Sequence, residues 1–63
     1  MNIKDCFVGK KVKYIVQEPP ENKRYEYLGT VTAVYEDHAI IDCPEVSDHL
    51  WLDDDTSDMF IEA

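Results

Sequence analysis

From Lys11 onward, apolar and polar side chains alternate. Val12, Tyr14 and Val16 fall on one side and Lys11, Lys13, Ile15 and Gln17 on the other, the period of two that marks a half-buried strand. Ile3, Phe7 and Val8 precede Gly9 and are expected to tuck beneath that strand as a short lead-in. Pro19-Pro20 forbids helix and central strand alike, and its neighbours Glu18, Glu21, Asn22 and Lys23 are polar, so residues 17–24 read as an exposed loop. From Arg24 to Glu36 the β-favouring Tyr25, Tyr27, Val31, Val34 and Tyr35 return with β-branched Thr30 and Thr32, and Gly29 marks a bend or bulge. Glu36-Asp37-His38 is short and polar enough to turn the chain into a third strand, Ala39–Cys43, which Pro44 closes. A loop over residues 45–48 leads to a fourth strand, His49-Leu50-Trp51-Leu52. Its alternation leaves open whether Trp51 or its neighbours face inward. Asp53–Asp58 predicts a polar turn with one helical or 3-10 step before a last short strand, Met59-Phe60-Ile61. A single helix over residues 48–62 is the competing pattern, and three consecutive aspartates with Thr56 in its middle oppose it.

Five short strands in one chain of 63 residues can bury their apolar faces only by curling into a small barrel, so a single mainly β domain is expected over residues 1–63. Gly9-Lys10-Lys11-Val12 opening the first strand, Gly29–Tyr35 with Ala39-Ile40-Ile41 as a central hairpin, and Asp55–Asp58 before Met59-Phe60-Ile61 give a pattern that resembles the SH3-like small barrels built around a KOW-type segment. The resemblance implies a five-stranded SH3-like barrel. In that family it also implies RNA or protein binding through basic loops. Here the sequence departs from the family pattern, with acidic residues around the hairpin turn and in the last two loops.

Size narrows the function. A chain of this length buries only about 60% of its unfolded surface, whereas an enzyme cleft of roughly 300 Å³ or more needs fixed walls; a binding role is expected, with no catalysis and no cofactor. The apolar runs, such as Tyr14-Ile15-Val16, are too short to cross a bilayer, and the first residues carry both signs of charge with no secretory pattern, so a cytoplasmic protein is expected. Cys6 and Cys43 share no CxxC spacing and are expected to be reduced thiols.

Charge changes the picture most. All six Lys and Arg (Lys4, Lys10, Lys11, Lys13, Lys23, Arg24) precede residue 25, where only Asp5, Glu18 and Glu21 oppose them; the other 11 of the 14 carboxylates follow with no basic residue among them, and the net charge is −8. Such a chain repels nucleic-acid phosphates and attracts basic surfaces. Glu36, Asp37, Asp42, Glu45, Asp48, Asp53, Asp54, Asp55 and Asp58 are therefore candidate partner-binding carboxylates, expected to line loops at one end. Tyr27 and Trp51 are the candidate aromatic anchors, since Tyr and Trp carry much binding energy. Most of the remaining aromatics are expected in the core, because Val and Ile alone fill a small barrel poorly.

Three further constellations carry less. Asp53, Asp55 and Ser57 imitate the start of an EF-hand, but Asp58 stands where the loop requires Gly. Cys6, His38, Cys43 and His49 contain zinc-ligand types at no known spacing. Ser47-Asp48-His49 has triad residue types, but neighbours on a strand point to opposite faces.

The function expected from these features is an acidic, non-catalytic protein-binding module. It would act as an inhibitor or decoy covering the basic nucleic-acid-binding surface of a partner enzyme, as small phage proteins do against CRISPR or restriction systems, in the host cytoplasm. Direct nucleic-acid and membrane binding are not expected. The alternatives are an SH3-like adaptor gripping a peptide or subunit through an aromatic groove of Tyr14, Tyr25, Tyr27 and Trp51, including an edge-strand homodimer, and an RNA-binding barrel using Lys10, Lys11, Lys13, Lys23 and Arg24.

Overall fold

The alternation that begins at Lys11 is a strand with Val12 buried and Lys11 exposed, and the same logic repeats along the chain. The computed structural model describes residues 1–63 as five strands: β1 (Lys11–Glu18), β2 (Lys23–Val34), β3 (Ala39–Cys43), β4 (Ser47–Leu52) and β5 (Phe60–Glu62), with 3-10 turns at Ile3–Asp5 and Ser57–Met59. All pairings are antiparallel within one sheet of order β4-β3-β2-β1-β5. β4 and β5 are its edges. The 3-10 step before the last strand stands where the sequence predicts it, and the single helix over 48–62 does not form.

One face of the sheet holds the core. Val12, Val31, Ala39, Ile41, Leu52 and Phe60 form one buried cluster, with Met1, Ile3, Cys6, Tyr14, Leu50 and Met59 packed against it. This face is the inner face; the other is the outer. The core is more aliphatic than expected, because Phe60 is its only fully buried aromatic. Tyr14 covers the Phe60 ring at 5.1 Å between centroids, and Tyr25 is exposed.

The long β2 serves two partners. Its first eight residues pair with β1 (Lys23↔Glu18 through Thr30↔Lys11), and from Thr30 it pairs with β3, with a register shift between Val31 and Ala33. Gly29 makes the changeover possible: a Cβ there would stand 2.8 Å from Ile41 Cγ2 and 3.3 Å from the Asp42 carbonyl oxygen. Gly29→Ala should therefore lower stability by about 1–3 kcal/mol, the usual range for an overpacked core. Chemical denaturation would show it as a lower midpoint at unchanged slope. Gly9, at φ 94, turns the preceding segment so that its N–H donates to Val31 O at 2.8 Å, and Val31 N–H donates back to Lys10 O at 2.9 Å.

Two expectations about local structure need correction. Residues 17–24 are not a loop: β1 runs through Glu18 and β2 starts at Lys23, leaving a turn at 19–22 with Asn22 in the left-handed region at φ 53. The ladder continues because backbone pairing needs no apolar side chain, so this arm of the hairpin is polar and still strand. The lead-in is only partly tucked. Ile3 and Cys6 pack on the core, but Phe7 and Val8 remain 61% and 66% exposed. The amino group of Met1 holds this segment in place by donating to Ser57 O at 2.7 Å and Phe60 O at 2.9 Å.

Candidate functional site

Strand order converts the separation of charge along the chain into a separation across the sheet. β1 and the start of β2 carry Lys11, Lys13, Lys23 and Arg24 and lie on the β5 side, whereas β3, β4 and the turn after them lie on the other. On the basic side most charges are already paired: Lys10–Glu62 (2.6 Å), Lys13–Glu26 (3.7 Å), Lys23–Glu21 (3.2 Å) and Arg24–Glu26 (3.9 Å). Lys11 Nζ donates to Thr30 Oγ1 at 2.9 Å. Four of the five side chains that an RNA-binding barrel would use thus already meet a carboxylate, Glu21, Glu26 or Glu62.

The other side has no such compensation. Glu36, Asp37, Asp42, Glu45, Asp48, Asp53, Asp54, Asp55 and Asp58 make no salt bridge with any Lys or Arg; the one ionic contact among them is Asp37 with His38. They do not gather at one end, however. Glu36 and Asp37 lie in the β2–β3 turn and Asp53, Asp54 and Asp55 in the turn after β4, which Ala39↔Leu52 brings to the same end. Asp42, Glu45 and Asp48 stand around the β3–β4 turn at the opposite end, roughly 15 Å away over the five residues of β3. Asp58 sits on the 3-10 turn leading to β5. The hairpin register sets this division, because successive turns of a meander fall at alternate ends.

Asp53 has a structural task. Its Oδ1 accepts from the backbone N–H of Asp55 and of Thr56, both at 3.0 Å, and from Thr56 Oγ1 at 3.2 Å. Thr56 Oγ1 also lies 2.9 Å from Trp51 O. Asp53→Ala should cost about 1–2 kcal/mol by leaving those donors without their acceptor, whereas Asp54→Asn should leave thermal stability nearly unchanged; parallel melting curves separate the two.

The aromatic anchors part company. Trp51 lies between Leu50 and Leu52, whose partners Ile41 and Ala39 are core residues, so its ring stands on the outer face, 49% exposed. Tyr27 pairs with Tyr14 on the inner face and stacks on Tyr25 at 6.4 Å. The two do not form one patch, and no groove of Tyr14, Tyr25, Tyr27 and Trp51 exists. Trp51 instead joins a stack that the sequence did not suggest. The His38 ring lies parallel to it, with centroids 3.8 Å apart and planes at 3°, and Tyr35 covers the other side of His38 at 4.8 Å. Asp37 Oδ1 is 2.7 Å from His38 Nδ1, and this hydrogen bond holds the Asp37 carboxyl below its ordinary range. Tyr35 closes the turn, its N–H donating to His38 O at 2.8 Å.

The remaining constellations fall apart in space or take other parts. No group of three or more His, Cys, Asp or Glu side chains is placed to hold a metal ion. Cys6 and Cys43 are unbridged, and burial pushes both thiols upward in pKa. Ser47 Oγ accepts from the backbone N–H of His49 at 3.2 Å. No cavity interrupts the surface, and no helix is long and apolar enough to cross a membrane. The candidate site is accordingly a face: the half-sheet of β3 and β4 with its flanking turns, centred on Tyr35, His38 and Trp51. Comparison with known protein families, curated proteins and solved structures finds no match to the chain.

Proposed function

We propose that this chain is a non-catalytic, acidic protein-binding module that covers the basic, nucleic-acid-binding surface of a partner protein, as an inhibitor or decoy of the phage anti-defence kind acting in the host cytoplasm. The observation that carries the proposal is the run of nine carboxylates from Glu36 to Asp58 without one Lys or Arg counter-ion. A soluble protein gains enough repulsion from a few dispersed charges. Leaving the carboxylates of the β3–β4 half without counter-ions, while most cations of the other half pair with Glu21, Glu26 and Glu62, concentrates a negative field where a cationic surface would meet it. The half-exposed Trp51 supplies the kind of apolar anchor that such a contact uses. An SH3-like arrangement is supported by the strand order β4-β3-β2-β1-β5 and by the register shift of β2 between Val31 and Ala33.

Affinity capture from bacterial lysate on the immobilised chain, followed by challenge with duplex DNA, tests this. The captured protein should be a nucleic-acid-binding one, duplex DNA should displace it, and its affinity should fall steeply as salt rises from about 50 to 300 mM, where the screening length shrinks. A partner that resists both DNA and salt would contradict the proposal. One lost on Trp51→Ala yet indifferent to Asp54→Asn with Asp55→Asn would favour the adaptor instead.

A further inference from the structure

Tyr35, His38 and Trp51 make a short column of near-parallel rings on the outer face, with planes 24° and 3° apart in turn. His38 is the inner member, sandwiched and only 15% exposed at its side chain. The terminal rings stay open: Tyr35 is 56% and Trp51 49% exposed, and neither stacks on another aromatic. Parallel rings do not form the box of crossed rings that encloses a tetrahedral ammonium. A column of this kind is extended by another flat group laid on its end.

The surroundings select which flat group. Asp37 is bonded to the middle ring, and its carboxylate is otherwise in solvent. Asp53 opens the turn that follows β4, Thr56 of that turn lies 2.9 Å from the backbone carbonyl of Trp51, and Asp54 and Asp55 are exposed on the same turn. No Lys or Arg approaches these carboxylates. A nucleobase would bring its phosphates into this field and be repelled. A guanidinium is planar, weakly hydrated, positively charged and forked to meet carboxylates, so it satisfies both the rings and the charge.

Resting on the function proposed above, we propose that the open end of this column at Trp51 seats an arginine side chain of the partner protein, stacked on the indole and hydrogen-bonded to carboxylates of the flanking turns. The site selects arginine over lysine. The ammonium of lysine gains the charge attraction but not the stacking or the fork.

Trp51 is the only tryptophan, so its emission reports the contact without a label. The full chain is titrated with two peptides of equal length and charge, one alternating Gly and Arg and the other Gly and Lys, and with a short oligothymidylate, with calorimetry in parallel. The Arg peptide should bind about tenfold more tightly than the Lys peptide and change the Trp51 emission. The Trp51→Leu variant, which keeps an apolar side chain at this outer position, should abolish that preference in calorimetry, with circular dichroism confirming the fold. Asp54→Asn with Asp55→Asn should weaken both peptides, the Arg peptide more because it also loses the fork. Equal binding of the two peptides, an unchanged preference in Trp51→Leu, or tighter binding of oligothymidylate with quenched Trp51 emission would overturn the assignment. The two proposals fail separately: equal affinity for Arg and Lys with DNA-displaceable capture intact removes only the arginine seat, and capture that DNA cannot displace removes only the decoy function.

Discussion

Phe60→Ala should leave a large fraction of the chain unfolded at 25 °C. Phe60 is 1% exposed, belongs to the single core cluster and lies against Tyr14, and it is one of the three residues through which β5 pairs with β1. Truncating a buried Phe costs about 3–5 kcal/mol, from lost transfer energy and the cavity left behind. A domain of this size has a total stability of only roughly 3–9 kcal/mol. The core has no second cluster to absorb the loss. Urea denaturation followed by tyrosine and tryptophan fluorescence should give a midpoint reduced by half or more, or no folded baseline at all. Phe60→Leu, which keeps most of the volume, should cost less than about 1.5 kcal/mol. A Phe60→Ala protein that unfolds at the same urea concentration as the parent would show that the inner face is not what holds the sheet together.

Removing charge from the β3–β4 half should have the opposite balance of effects, with little change in stability and a large one in binding. In Glu36→Gln, Glu45→Gln, Asp54→Asn, Asp55→Asn combined, none of the four carboxylates has a basic partner to lose. Relief of their mutual repulsion should hold the melting temperature level or raise it slightly. Affinity for the captured partner should fall by about ten- to several-hundred-fold if each carboxylate contributes roughly 0.4–1 kcal/mol. Glu21→Gln, which removes a charge already paired with Lys23, is the control and should change affinity little. An equal loss per charge removed in the two proteins would mean that only net charge matters, and that its placement does not.

How much of this was legible in the sequence depended on whether side-chain burial marked the element. β3 has the bounds Ala39–Cys43 in both sequence and structure because its residues are nearly all buried and a polar turn and Pro44 punctuate it. The arm of β1 and β2 beyond Val16 and Tyr25 has the sequence pattern of a loop because Gln17, Glu18, Lys23 and Arg24 are exposed, and without burial the apolar period vanishes although the ladder persists. Phe7 and Val8 misled in the other direction, being apolar yet exposed.

The candidate site was half visible. Which carboxylates lack counter-ions follows largely from the chain order of charge, because the meander keeps β3 and β4 together on one side. Their division between two ends follows from turn geometry, which composition does not report. The alternation in β4 leaves the facing of Trp51 open, and the pairing of Leu50 with Ile41 and Leu52 with Ala39 decides it. Tyr27 was placed beside it in error for the same reason: the two strands present these rings on opposite faces. His38 gave no sequence signal beyond its turn, since the stack forms only when β4 is brought alongside β3.

The proposed function makes the uncompensated β3–β4 half the working face of the molecule. An amide chemical-shift titration of the isotope-labelled chain with the captured partner tests this. Perturbations are expected at Glu36–His38, at Ser47–Asp55 and at the Trp51 indole N–H, with the β1–β2 hairpin tip near Glu21 undisturbed. Perturbations concentrated instead on Lys10–Arg24, with Trp51 unmoved, would contradict it.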